Sequence, residues 1–319
     1  MSSPSSSSWL LIGTAVASAC AASAVRAEEF SWQLSGVTNR LEAGDFRRDS
    51  WAVDGTYYMN PIDDSGGPYE LASFLHPTTR VSAAASQSES FSEIADDPTA
   101  FTLNGAYVLP GKKWYFGANY TESDLDGVVQ PVTRYDENSY GVRAGRYLGA
   151  STTLELGLGR SERTLESSLC TAAAPCPPFI LPYTEETTTD SVSLEVFHVR
   201  RFRSLTYSLQ GSVYEAEAAY DVSSPLPSLV PAMSGEGPTR RVYSVAGELF
   251  PTNRLGFSLG FSRPGGELAP DAESYDLGAS WFFKPRVAVQ FTLSRTSIDT
   301  GTFGTSHSDS AGIRFIGRL

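Results

Sequence analysis

The sequence predicts an all-β fold, a transmembrane antiparallel up-and-down β-barrel of about fourteen strands. Two observations predict it directly: apolar and small polar residues alternate along most of the chain, and short connections alternate with long ones. A third is that no run of 18 or more apolar residues follows residue 27, which disfavours membrane helices. The chain of 319 residues has 12% aromatic residues, too many for a disordered chain, and its net charge of −12 argues against nucleic acid as a partner.

The first element is an N-terminal segment that resembles a secretory signal peptide. Residues 9–25 are apolar or small, and small side chains stand at both positions that define a cut after Ala27. This assigns 1–27 to the signal and 28–319 to a single barrel domain. The residues before the apolar run include no Lys or Arg, so the fit is incomplete. Lipoprotein cleavage at Cys20 is the alternative interpretation.

Two cysteines remain after cleavage of the signal, Cys170 and Cys176, in a Pro-rich segment. An even pair in an exported protein predicts a disulfide. Closing so short a loop stabilises it by roughly 2 kcal/mol in the chain-entropy description. Two free thiols are the alternative.

Fourteen runs of period-two alternation form the predicted strands. In one run Phe101 and Leu103 lie on one face, while Thr102 and Asn104 lie on the other. The weakest run, 78–91, is mostly Ser and Ala and is included because such a barrel needs an even number of strands. The runs lie approximately at 30–40, 50–60, 78–91, 99–109, 112–124, 138–148, 151–166, 188–200, 203–218, 240–250, 253–264, 273–283, 286–297 and 306–319.

The connections between the runs alternate in length. Every second connection is tight, which is typical of a meander of hairpins with its long loops at one end. The short turns are expected near 110–112, 149–151, 201–203, 251–253 and 284–286, and the longer polar segments at 125–136, 167–186, 219–237, 265–271 and 298–305.

A soluble β-sandwich also shows alternation and is the competing fold. Its polar face would be rich in Lys, Glu and Arg, whereas here that face is mostly Gly, Ser, Thr, Ala, Asn and Gln, as in the lumen of a membrane barrel. Runs of about 10 residues also match the ~9–11 needed to cross a bilayer. Aromatic residues near the short turns predict an interfacial girdle, formed by Trp114, Tyr115, Tyr147, Phe202, Phe250, Trp281, Phe282 and Phe283.

Two segments give the chain a resemblance to outer-membrane porins of Gram-negative bacteria. The C-terminal GIRFIGRL keeps its alternating register to the end, as the assembly signal of outer-membrane barrels does, but closes on Leu319 in place of an aromatic residue. Residues 57–75, YYMNPIDDSGGPYELASFL, and the following hairpin VLPGKKWYFGANY are similar to a family of uncharacterised proteobacterial putative porins. That family shows a Tyr-Tyr strand end, a Pro-x-Asp segment and a Glu-x-x-x-Phe-Leu stretch.

The resemblance implies a passive pore of the bacterial outer membrane, with short periplasmic turns and longer extracellular loops. It implies outer-membrane lipid and lipopolysaccharide as surroundings, and the barrel assembly machinery as a partner during biogenesis. It brings no substrate and no catalytic residue. Acidic residues in the long loops would favour cations, bind divalent ions that bridge lipopolysaccharide, or simply be solvated.

Six charged residues fall on the face assigned to the lumen. A charge is solvated there, whereas a cation at mid-depth on the lipid face costs about 2–4 kcal/mol. Three of them, Glu155, Glu195 and Glu248, each lie within about six residues of a short turn. They are expected at one depth in the lumen, where their carboxylates would favour cations. Unspecialised lumen charges, or ion pairs that stiffen the wall, are the alternative. The pore-lining candidates are Arg143, Glu155, Glu195, Glu248, Asp276 and Arg314.

Residues 61–77 connect two strands on the side of the short turns. A short helix is expected from Tyr69 to His76, with its cap near Pro68. This segment either plugs the inner mouth of the barrel or packs on its rim, and the sequence leaves both open.

The leading functional hypothesis is a porin for passive diffusion of small hydrophilic solutes, with mild cation preference. The alternative is a closed structural or adhesive barrel that acts through its extracellular loops. A transporter of hydrophobic compounds ranks last because residues 28–49 are too short for a large plug. No enzyme, cofactor or metal site is predicted, since His76, His198 and His307 share no site in this topology.

Overall fold

The strands and turns follow the predicted order in the computed structural model. It describes residues 29–44, 46–63, 67–88, 98–129, 132–169, 181–223, 232–237, 239–265, 271–299 and 305–319. A 3-10 turn at Tyr69–Leu71 leads into a short helix, α1, at Ala72–Leu75. The strands are β1 (Glu29–Ala43), β2 (Phe46–Asp63), β3 (Arg80–Ser88), β4 (Thr99–Val108), β5 (Trp114–Val129), β6 (Val132–Tyr147), β7 (Thr152–Leu169), β8 (Leu181–Phe202), β9 (Leu205–Ser223), β10 (Met233–Glu236), β11 (Arg240–Thr252), β12 (Leu255–Gly265), β13 (Asp271–Lys284), β14 (Val287–Asp299) and β15 (Thr305–Arg318).

Fourteen of these strands close into one antiparallel barrel. β1 pairs with β15, and β8 pairs with β9, so the described strands form a continuous ring. Among the described strands, the short β10 pairs with β9 alone, at the end of β9 farthest from its short turn, and stands outside that ring. Closure gives each strand two hydrogen-bonded neighbours, which a bilayer requires. The prediction of a fourteen-stranded up-and-down barrel is confirmed, including the weak run that forms β3. In the part of the chain described here, no helix has the length and apolar character needed to span a bilayer.

The strands from β5 to β9 are longer than the sequence predicts. β7, β8 and β9 contain 18, 22 and 19 residues, about twice the ~9–11 that a membrane crossing needs. The expected loop bounds at 125–136, 167–186 and 219–237 were therefore wrong, because much of these segments is paired strand. Cross-strand polar pairs such as Arg163–Glu185, at 3.1 Å, hold the ladder there, where neither face is apolar and alternation gives no signal.

The two faces of the barrel differ in composition as expected. Large apolar side chains point outward and stay exposed, for example Leu158 and Leu277, both 56% exposed. The inward positions between them carry Gly157, Gly159 and Gly278. This arrangement is typical of a wall with lipid outside and a polar lumen inside.

The expected aromatic girdle is only half correct. Trp114, Phe202, Trp281 and Phe283 do point outward near the short turns, with 43–58% exposure. The other four point inward, because each stands next in sequence to an outward-pointing residue and successive strand residues point to opposite faces. These are Tyr115, Tyr147, Phe250 and Phe282, and Phe282 is only 1% exposed. The inner mouth therefore contains an aromatic core that the girdle prediction missed.

Candidate functional site

Residues 67–79, here called the crossing segment, enter the barrel at the end of the short turns. The 3-10 turn begins after Pro68, and the Leu71 amide donates to the Pro68 carbonyl at 3.0 Å. The helix ends where the His76 amide donates to the Ala72 carbonyl, also at 3.0 Å. The short helix expected from Tyr69 to His76 is therefore confirmed as a 3-10 turn followed by one helical turn.

Apolar side chains of the crossing segment pack on opposite parts of the wall. Leu71, 5% exposed, packs against Val199 of β8 and Phe250 of β11. On another side, Ala72 belongs to a buried cluster with Phe30 of β1, and with Tyr58 and Ile62 of β2. Strands on both sides of the lumen are thus joined through one short segment.

Two aromatic pairs add to this contact. Tyr69 lies against Phe282 of β13, with ring centroids 5.6 Å apart. Phe74 meets the edge of Phe197 of β8 at 4.6 Å. Such pairs contribute about 0.5–1.5 kcal/mol beyond area burial. The segment crosses the interior rather than packing on the rim, and its side chains occupy the inner mouth.

Glu70 is the polar anchor of the crossing segment. Its carboxylate accepts hydrogen bonds from the Ser280 hydroxyl and the Gln290 amide, on β13 and β14. Burial raises the pKa of Glu70 above its ordinary value, and nearby Glu248 adds to this, while Ser280, Arg318 and Gln290 act in the opposite direction. Sequence reasoning did not select Glu70. The available signal was the acidic position of the Glu-x-x-x-Phe-Leu stretch.

A cavity of about 190 Å³ with both polar and apolar lining lies between the crossing segment and the wall of β11 to β14. Glu248, one of the candidates, faces it and accepts a hydrogen bond from the Ser208 hydroxyl at 2.8 Å. Glu70 and Glu248 therefore place two carboxylates beside one narrow space. The remaining polar groups of its lining are Ser258, Ser280, Gln290 and Thr292.

Three other candidates form a separate cluster. Glu155 and Glu195 stand directly opposite each other on β7 and β8. The Arg143 Nε lies 3.9 Å from a Glu155 carboxylate oxygen. Glu195 pairs with position 212 of β9, whereas Glu248 pairs with position 208, which is about 13 Å farther along that strand. The three carboxylates are thus divided between this cluster and the cavity beside Glu70.

The last two candidates lie elsewhere on the lumen face. Arg314 forms an ion pair with Asp54 at 2.6 Å and donates to the Ser35 hydroxyl at 2.8 Å. It therefore ties β15 to β1 and β2 where the first and last strands meet. Asp276 of β13 lies over Gly260 of β12 and remains exposed in the lumen.

Several predicted features lie outside the described residues. These are the signal segment 1–27, with Cys20 and Ala27, and the pair Cys170 and Cys176, so the cleavage site and the disulfide stay predictions. The histidines are apart: His198 bonds Thr152 at 2.8 Å and His307 bonds Ser297 at 2.9 Å, while His76 ends α1. The described part of the chain contains no group of three or more His, Cys, Asp or Glu that could hold a metal ion.

Solved outer-membrane proteins share this architecture. Acinetobacter baumannii outer membrane protein Omp33 superposes with a TM-score of 0.57 at 15% identity, over 92% of this chain and 100% of Omp33. The monoaromatic hydrocarbon channel CymD gives 0.55 at 10% identity, over 91% and 89%. The chain has the fold of outer-membrane β-barrels.

A third solved structure shares the fold. The Ralstonia pickettii toluene transporter TbuX gives a TM-score of 0.51 at 12% identity, over 91% of this chain and 89% of TbuX. Neither a protein-family profile nor a curated protein sequence matches the chain. At these identities the likeness concerns the architecture alone.

Proposed function

We propose that this protein is an outer-membrane channel for passive diffusion of small hydrophilic solutes. The observation that carries the proposal is the lumen face, where glycines, hydroxyl side chains and charged side chains predominate beyond the inner mouth, while the outer face is apolar. Fourteen strands stand between small barrels filled by side chains and wide porins, so the lumen is modest in width. The crossing segment narrows it further at the inner mouth.

We propose that the narrow part of this channel favours cations. Glu70 and Glu248 share the cavity between the crossing segment and the wall. Glu155 and Glu195 stand opposite each other in a second cluster, outside that cavity. Carboxylates at a constriction lower the energy of a cation and raise that of an anion. Arg143 partly neutralises the Glu155–Glu195 pair. Glu70 and Glu248 are therefore the stronger determinant of cation preference.

A closed structural or adhesive barrel is the second candidate, and the crossing segment favours it. A segment that contacts both sides of the lumen through buried Leu71 and Ala72 would block flow if it never left this position. The tall wall of β5 to β9 would then display surface for binding. Transport of hydrocarbons, named for CymD and TbuX, gains no support from a lumen lined by hydroxyl groups and glycines.

The apolar outer face of the barrel indicates what surrounds the protein. Outer-membrane lipid and lipopolysaccharide would contact the outer face, where ion pairs such as Arg295–Asp309, at 2.9 Å, stand near Tyr275 at one edge of the apolar surface. The barrel assembly machinery would insert the strands after export. No nucleic-acid partner is proposed.

Proteoliposome swelling tests the diffusion proposal. Refolded protein without residues 1–27 should admit neutral polyols at rates that fall steeply with solute size. Vesicles with heat-denatured protein supply the control. Equal swelling rates in both preparations would reject the channel and favour the closed barrel.

A further inference from the structure

A recess in the lumen wall lies apart from the crossing segment. It has a volume of about 360 Å³ and is formed by β5 to β9. The recess exists because Gly141, Gly157 and Gly159 occupy inward positions, so the wall lacks side chains there. A Cβ at Gly157 would lie 2.5 Å from the Ser193 hydroxyl, and one at Gly159 would lie 2.8 Å from the Ser191 hydroxyl. These serine hydroxyls lean over the glycines and line the floor.

Charged side chains stand at both ends of the recess, Glu137 at one end and the pair Arg143 and Glu155 at the other. At one end the Glu137 carboxylate accepts from the Ser161 hydroxyl at 2.6 Å, and from the Tyr135 and Ser139 hydroxyls. At the other end Arg143 faces Glu155 at 3.9 Å. This distance is too long for a hydrogen bond.

Arg143 retains hydrogen-bonding capacity at its end of the recess. Among the described residues no acceptor bonds to its buried Nε, and the side chain is 31% exposed, so the rest of the guanidinium can be reached by a ligand. A hydroxyl-bearing ligand beside Arg143 and Glu155 would supply acceptors to the guanidinium and donors to the carboxylate.

An aromatic side chain lines a third side of the recess. Tyr214 of β9 stands opposite Ser193 of β8, projects into the recess and is 40% exposed. Small-molecule sites combine such an apolar surface with a few placed polar groups, within roughly 300–1,000 Å³. The recess has both features and a volume within that range.

We propose that this recess binds a neutral, polyhydroxylated solute of about monosaccharide size. The inference rests on the proposed channel function, because it assigns a solute class to the same lumen. Hydroxyls on adjacent carbons can accept from the Arg143 guanidinium and donate to the Glu155 carboxylate. The floor of glycines and serine hydroxyls lets a ring approach the wall closely, and Tyr214 supplies an aromatic surface for the C–H groups of that ring. The surplus of carboxylates disfavours an anionic sugar.

Calorimetric titration in detergent micelles tests this inference without requiring conduction. The probes are glucose, its cationic analogue glucosamine and its anionic analogue gluconate. We expect saturable binding of glucose and none of gluconate. Binding of glucosamine alone would overturn the neutral assignment, and absence of binding by all three would overturn the site.

A matched pair of variants locates the binding. Ser191→Leu fills the recess and should weaken glucose binding about tenfold or more, equivalent to ~1.4 kcal/mol. Ser294→Leu makes the same change on the lumen face of β14, outside the recess, and should change the affinity less than about twofold, or ~0.4 kcal/mol. Equal weakening by both variants would overturn the assignment to this recess.

The titration and the swelling assay fail independently. Glucose binding that Ser191→Leu abolishes, in a barrel that admits no solute, would reject the channel and keep the recess as a binding site. Swelling without saturable binding would keep the channel and reject the recess.

Discussion

Leu71 provides the sharpest test of whether the crossing segment limits flow. Its side chain is 5% exposed and packs against Val199 and Phe250, on strands far from β2 in the ring. Leu71→Ala removes this packing and leaves every strand pairing intact. We expect the variant to conduct more than the original chain.

The magnitude follows from the packing of Leu71. Replacing a buried leucine with alanine costs about 2–5 kcal/mol, because apolar contact is lost and a cavity remains. Here most of that cost falls on docking of the segment, since the barrel ladder is unchanged. Even 2 kcal/mol raises the population of undocked segment about thirtyfold.

Open probability in planar bilayers measures the effect, and Leu277→Ala supplies a matched control. Leu277 is 56% exposed on the outer face of β13, so the same side-chain change there leaves the crossing segment untouched. An open probability that rises for Leu71→Ala and stays constant for Leu277→Ala is expected. If Leu71→Ala folds and conducts like the original chain, the segment does not limit flow.

Further predictions concern single side chains. The raised pKa of Glu70 means that the docked state binds its proton more tightly, so docking is strongest below the ordinary value of 4.5 and weakens as pH rises through the raised value; open probability should therefore increase with pH, and Glu70→Gln should flatten the profile. Glu248→Gln should move the reversal potential in a KCl gradient toward zero, and an unchanged potential would place selectivity elsewhere. Arg314→Ala should lower the free energy of unfolding in urea by about 1–3 kcal/mol, because Asp54 loses its charged partner; no shift in the midpoint would show that the pair is not stabilising. Mass analysis after alkylation should find Cys170 and Cys176 unlabelled, and two labelled thiols would refute the disulfide.

The barrel was predictable because hydrophobic alternation is a local signal. Phe101 and Leu103 opposite Thr102 and Asn104 already define a strand with one lipid face, and the lengths of the connections define a meander. Even β3, with little apolar content, followed from the need for an even number of strands.

The ends of β5 to β9 on the side of the long loops were not predictable from that signal. Beyond the apolar band both faces of a strand are polar, as around Arg163 and Glu185, so a ladder and a loop look alike in sequence. Only cross-strand pairing, which joins residues far apart in the chain, distinguishes them.

The inner mouth was missed for a related reason. Tyr115 and Phe282 resemble girdle residues when only their distance from a turn is considered. Their inward direction becomes meaningful once the crossing segment supplies an apolar partner inside the barrel, such as Tyr69 for Phe282. Glu70 gains its importance in the same way, from bonds to Ser280 and Gln290 more than 200 residues later.

Single-channel recording of the refolded barrel, without residues 1–27, in a KCl gradient tests the central claim most directly. A water-filled lumen with carboxylates at its narrow end predicts discrete ohmic steps and a reversal potential of the sign for cations. Absence of steps from folded protein, with Leu71→Ala equally silent, would contradict the channel and leave the closed barrel as the function of this fold.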